Sequence, residues 1–77
     1  MQPVTVYSTP TCPFCDMVKE FLREHNVNFQ DFDVAGNQEK LREMISKTGQ
    51  TAVPVIDIGG KIIIGFNEAE LLRALGI

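Results

Sequence analysis

The only two cysteines of this chain stand in Cys12-Pro13-Phe14-Cys15, where a β-forming run gives way to a helical pattern. Val4-Thr5-Val6-Tyr7 is β-branched and aromatic, the composition of a short buried strand. From Pro13 onward, Cys15, Val18, Phe21, Leu22 and His25 recur at helical spacing, which leaves Lys19, Glu20, Arg23 and Glu24 for the outer face. Proline suits a first helical position, where its missing N–H is not needed. Cys12 therefore stands just ahead of the first turn. Unpaired N–H groups and about half a positive charge gather there, and both favour a thiolate. A thiolate is the form that attacks disulfides, and Cys15, one turn on, is near enough to close one. The motif reads as a thiol–disulfide exchange centre, with Cys12 as nucleophile and Cys15 as the resolving thiol.

The remaining pattern is regular. Val27 to Val34 forms a second strand whose apolar alternation slips by one between Phe29 and Phe32, after Asn26 as a left-handed helix stop. Asn37 caps a second helix to about Lys47, with Leu41, Met44 and Ile45 as its buried stripe and Gly49 as its stop. Val53 to Ile58 and Lys61 to Ile64 form a hairpin across Gly59-Gly60. A last helix begins at Asn67 and buries Leu71, Leu72 and Leu75. The order β-α-β-α-β-β-α implies a right-handed parallel crossover followed by an antiparallel hairpin, hence a mixed four-stranded sheet with the first strand inside it.

Composition narrows the function. Residues 1–77 suffice for one domain. Ten acidic against seven basic residues give a net charge of −3, which provides no basic stripe for nucleic acid. No apolar run approaches the roughly 20 residues of a membrane span. Met1-Gln2-Pro3 leads directly into the strand without a charged-then-apolar leader, so a cytoplasmic location is expected. Two cysteines are too few for the disulfide scaffold of a small secreted protein. A metal site is the other use of two thiols. His25 lies too far along its helix to join them, so four-ligand zinc or iron–sulfur binding would require a second chain or external thiols.

Tyr7-Ser8-Thr9-Pro10-Thr11-Cys12-Pro13-Phe14-Cys15, then Val53-Pro54, then Gly65-Phe66-Asn67-Glu68 together resemble the glutaredoxins of the thioredoxin superfamily, and the element order agrees from end to end. The resemblance implies an α/β thioredoxin-like fold and a monomeric oxidoreductase that reduces protein disulfides. It implies no metal, and no cofactor beyond a redox-active Cys12–Cys15 disulfide. The Val53-Pro54 bond would be cis, with the proline facing the disulfide. Thr11, Pro13, Phe14, Val53, Pro54, Gly65 and Phe66 would border the substrate, while Tyr7 reads as core.

Two departures concern the reductant. Thr9 stands where glutathione-using glutaredoxins commonly carry a lysine, and Phe66 replaces the second glycine of their turn before the last helix. Lys19, Arg23 and Lys47 are not obviously placed to compensate. Both changes resemble the glutaredoxin-like redoxins recycled by thioredoxin reductase, so a flavoprotein of that kind is the expected donor. Glutathione dependence is the alternative, and a dimeric metal or iron–sulfur module using the same thiols is the rival from another class.

Overall fold

The computed structural model describes residues 3–76. Met1, Gln2 and Ile77 lie outside the described residues, and with Met1 and Gln2 the expectation about a leader. β1 (Val4–Ser8) leads through a short loop into α1 (Pro13–Glu24), and the chain returns as β2 (Gln30–Asp33), parallel to β1. α2 (Gln38–Thr48) follows, then the antiparallel pair β3 (Val55–Ile58) and β4 (Lys61–Ile64), then α3 (Glu68–Leu75). The sheet order is β2-β1-β3-β4, with β3 antiparallel to β1, so β1 is interior. This is the thioredoxin-like arrangement expected from the sequence.

Strand alternation divides the core between the two faces of the sheet. Val4, Val6, Ile56, Ile58 and Ile63 pack with Val18, Phe21 and Leu22 of α1 and Leu71 of α3. Tyr7 and Val55 point the other way and pack with Val34 and Met44 of α2. Leu72 and Leu75, expected inside, are only partly buried against the first cluster.

Local chemistry explains the boundaries. The side-chain oxygens of Asn37 and Asn67 accept the N–H groups of Lys40 and Glu70, capping α2 and α3. Gly59 and Gly60 take φ of 58° and 99°, the left-handed pair that a two-residue hairpin demands. β2 is shorter than the expected Val27–Val34. Asn26 ends α1 in the left-handed region at φ 57°, and Val27 N–H is bonded to Leu22 C=O at 2.9 Å, so that amide completes the helix end instead of a ladder. β3 begins at Val55, not Val53, because Pro54 has no N–H to donate.

A polar network fixes α2 to the sheet. The buried Tyr7 hydroxyl donates to the Glu43 carboxylate, and Lys47 Nζ donates to that hydroxyl at 2.8 Å and to Asp57 Oδ2 at 2.6 Å. The Tyr7 bond holds Glu43 below the usual carboxylate range. Burial works against ionisation of Asp57, but Lys47 and the Gly60 N–H prevail and hold it low as well. The Asp57 and Tyr7 bonds hold Lys47 above the ordinary lysine value. Depressed carboxylates contribute stability that is present above their unfolded pKa of about 4 and lost as pH falls through the folded value. Lys47 contributes stability that is present below about pH 10.4 and lost above its folded value. Lys47→Met, which strands a partly buried carboxylate, should lower unfolding free energy by about 1–3 kcal/mol in urea at pH 7. It should also flatten the loss of stability below pH 4. An unchanged acid limb would detach Asp57 from this role.

Candidate active site

The topology gathers three loops at one end of the sheet. β1 ends at Ser8 and leads to Cys12 and α1. Tyr7 opposes Val55, so the segment before β3, Val53-Pro54, lies at that same end. Val55 opposes Ile64, so the turn after β4, Gly65-Phe66, lies there too. Gly65 N–H donates to Pro54 C=O at 2.9 Å and ties the second loop to the third. The Val53-Pro54 bond is cis, Pro54 is buried, and Val53 is half-buried.

The two cysteines occupy contrasting environments. Cys12 is the N-cap of α1, in extended backbone at φ −104°, and partly exposed. Its Sγ accepts the backbone N–H of Cys15 at 3.2 Å, the place a capping oxygen takes in α2 and α3. A donor and the positive end of a helix dipole are thus aimed at this sulfur, where a thiolate's charge would lie. Cys15 is 0 % exposed, packed in the first turn. Burial pushes its thiol up to about 12, with the hydrogen bond to Cys12 adding to the effect; the Thr9 backbone and Lys19 work the other way. Both thiols are free.

Around them, Thr11 and Pro13 are exposed, and Phe14 is the most exposed of the large apolar side chains at 58 %. Gly65 adopts φ +84°, a left-handed turn that L side chains adopt only with strain. Phe66 is half-buried, its ring edge-on to Phe21 with centroids 6.1 Å apart. Tyr7 is core, as expected from the sequence, with its hydroxyl engaged by α2.

Lys19 departs from expectation. Its spacing assigns it to the outer face of α1, yet its side chain is only 17 % exposed and folds across to Asp31 of β2 at 3.1 Å. Asp31 also accepts the hydroxyl of buried Ser8 at 2.7 Å. Sequence reasoning missed this bridge between β1, α1 and β2. Its one signal is Asp31, a charge within a strand-forming run. Among the described residues, no group of three or more His, Cys, Asp or Glu side chains is placed to hold a metal ion.

Comparison with known proteins agrees with this geometry. The glutaredoxin family model matches residues 4–63. The chain belongs to the glutaredoxin family. It is 48 % identical over 68 residues to a glutaredoxin-like 8.6 kDa protein in a rubredoxin operon of Clostridium pasteurianum, covering 88 % of this chain and 91 % of that one. It is 38 % identical over 76 residues to glutaredoxin 3 of Escherichia coli K12, covering 99 % and 92 %. The crystal structure of a glutaredoxin from Archaeoglobus fulgidus superimposes with a TM-score of 0.88 at 29 % identity, covering 97 % and 87 %. Family membership supports thiol redox chemistry in general terms, and no helix among the described residues of this glutaredoxin-family chain is long and apolar enough to cross a membrane.

The unequal burial of the two sulfurs has a direct chemical consequence. Reduced protein treated with iodoacetamide at pH 8 should gain one adduct, at Cys12, by peptide mass spectrometry. Cys15 should be labelled only after unfolding in guanidinium chloride. Labelling of Cys15 in the folded protein at a comparable rate would contradict the structure.

Proposed function

We propose that this protein is a dithiol oxidoreductase that reduces disulfides in other proteins. The observation that carries this reading is the pairing of a partly exposed, capped Cys12 with a fully buried Cys15 one turn away. Cys12 thiolate attacks one sulfur of the substrate disulfide. That S–S bond breaks, a mixed disulfide forms on Cys12, and the departing thiolate takes a proton from water. Cys15 then loses its proton and attacks Cys12 Sγ, and the second substrate thiolate leaves. Two electrons and two protons reach the substrate, and the enzyme retains a Cys12–Cys15 disulfide.

The environment of Cys15 orders these steps. Burial keeps its proton on, and the neighbouring Cys12 sulfur adds a hydrogen bond and a charge that act the same way. In the mixed disulfide Cys12 carries no charge, so that part of the restraint is lifted after the substrate has been captured. Cys15 thereby becomes the better nucleophile only once Cys12 holds the substrate. Val53, Pro54, Gly65, Phe66, Thr11, Pro13 and Phe14 border this reaction on the side from which a substrate chain arrives.

The reductant in this reading is a thioredoxin-reductase-like flavoprotein. Thr9 supplies no cation for a glutathione carboxylate, and the nearby lysines are already engaged, Lys19 by Asp31 and Lys47 by Asp57. A charge-assisted hydrogen bond is worth roughly 1.5–3 kcal/mol, or about ten- to a hundredfold in affinity. Two free thiols suit a reducing compartment, and in this reading the protein acts in the cytoplasm. It acts there as a monomer whose redox group is the Cys12–Cys15 pair itself.

An insulin-coupled assay following NADPH oxidation tests both parts. Turnover is expected with thioredoxin reductase, with at least about tenfold less from glutathione plus glutathione reductase. The opposite preference would assign the protein to glutathione. Cys12→Ser should abolish turnover, and Cys15→Ser should accumulate a mixed disulfide visible by mass spectrometry. Turnover surviving in Cys12→Ser would end the mechanism.

A further inference from the structure

A groove of about 370 Å³ runs beside α1 and reaches the turn before α3. Its size is at the lower end of ligand-sized clefts, which run roughly 300–1,000 Å³. The apolar floor is made by Met17, Phe21 and Phe66, and its rim by four carboxylates, Asp16, Glu20, Glu24 and Glu68. Asp16 and Met17 directly follow Cys15, and Phe66 belongs to the loop at the same end of the sheet as Cys12, so one end of the groove lies toward the redox site. Met17, 45 % exposed, extends the apolar surface that Phe14 begins.

Little within the described residues balances these charges. Among the described residues, Glu20, Glu24 and Glu68 have no ion-pair partner, and Asp16 has only a 3.9 Å contact with Lys19, which is held more closely by Asp31. Of the basic side chains near this region, Arg23 lies over the Phe29 ring, Arg73 pairs with Glu70, and the His25 ring packs against Phe21. Glu24 is the last residue of α1, where the helix dipole disfavours an anion. Four carboxylates around one apolar floor repel one another until a cation is brought among them.

We propose that this groove receives a basic segment of the substrate protein, one that sets an apolar side chain against Phe21 and Phe66 and lysines or arginines against the rim. The inference rests on the oxidoreductase reading and names its substrate class. From Asp16 to Glu24 the helix rises about 12 Å, at roughly 1.5 Å per residue. An extended chain covers that in about four residues. The recognised segment is therefore a short run close to the target disulfide, with one large apolar residue between two basic ones. Long-range attraction speeds the encounter, and the apolar anchor sets the register while Cys12 attacks.

The test uses two disulfide-linked peptides identical around their cysteines, one flanked by Lys-Leu-Lys and the other by Glu-Leu-Glu. A small uncharged disulfide, hydroxyethyl disulfide, serves as control. At low salt kcat/KM should favour the basic peptide by at least about tenfold. The preference should collapse at about 1 M salt, where the Debye length is about 3 Å. The charge reversal Glu20→Lys with Glu24→Lys should invert the preference and leave the control unchanged. Equal turnover of both peptides by the natural protein would overturn the inference, whether or not the double variant folds. The same holds if equal turnover accompanies a dimer that the double variant dissociates, for the groove would then belong to a second copy of the chain. No turnover of either peptide or of the control would overturn the oxidoreductase reading itself.

Discussion

One backbone amide, that of Cys15, donates to the sulfur of Cys12 at 3.2 Å, and the proposed chemistry depends on that bond. It makes a cysteine the cap of α1, so the helix start and the reactive sulfur are one structural feature. The fold exists around it in a literal sense. β1 is interior to the sheet, the loop leaving it is short, and Pro13 begins α1 immediately, so Cys12 has little freedom to be anywhere else. Cys15 is buried because it stands three and seven residues ahead of Val18 and Leu22, on the stripe of α1 that faces the sheet.

In the proposed mechanism, this contrast between an accessible and an inaccessible sulfur gives the pair its directionality. Two equally exposed thiols would compete for the same substrate disulfide. Here burial keeps one protonated, and the other supplies part of the restraint that keeps it so. In the proposed mechanism, capture of a substrate removes that part. The elements that hold the site, α2 through Tyr7, Glu43, Lys47 and Asp57 on one face, and α1 through Lys19, Asp31 and Ser8 on the other, are rigid polar links across packed apolar layers.

Local chemistry was legible in the sequence, and long-range partnership was not. The caps Asn37 and Asn67, the glycine hairpin, the left-handed Asn26 and the start of α1 at Pro13 each follow from a residue and its immediate neighbours. The cis Val53-Pro54 bond was legible only through the family resemblance, since a proline at a strand start is equally compatible with trans. Val27 shows the limit of a local pattern: it looks like strand, and it is partly buried against the core, but its amide closes the preceding helix. Lys19 and Lys47 show another. Helical periodicity assigns a lysine to a face but says nothing of an acid waiting on a neighbouring strand. The acidic groove was invisible for a similar reason, since Glu68 and Phe66 join Glu20 and Glu24 only when α3 docks beside α1.

The most direct test of the central claim is a titration of Cys15 by the pH dependence of its Cβ chemical shift in NMR, before and after alkylation of Cys12 with iodoacetamide. The neutral thioether stands in for the mixed disulfide. The account predicts that Cys15 in the untreated protein stays protonated to about pH 12 and titrates at distinctly lower pH once Cys12 is alkylated. A Cys15 that titrates in the ordinary thiol range before alkylation, or whose titration does not move after it, would contradict the account.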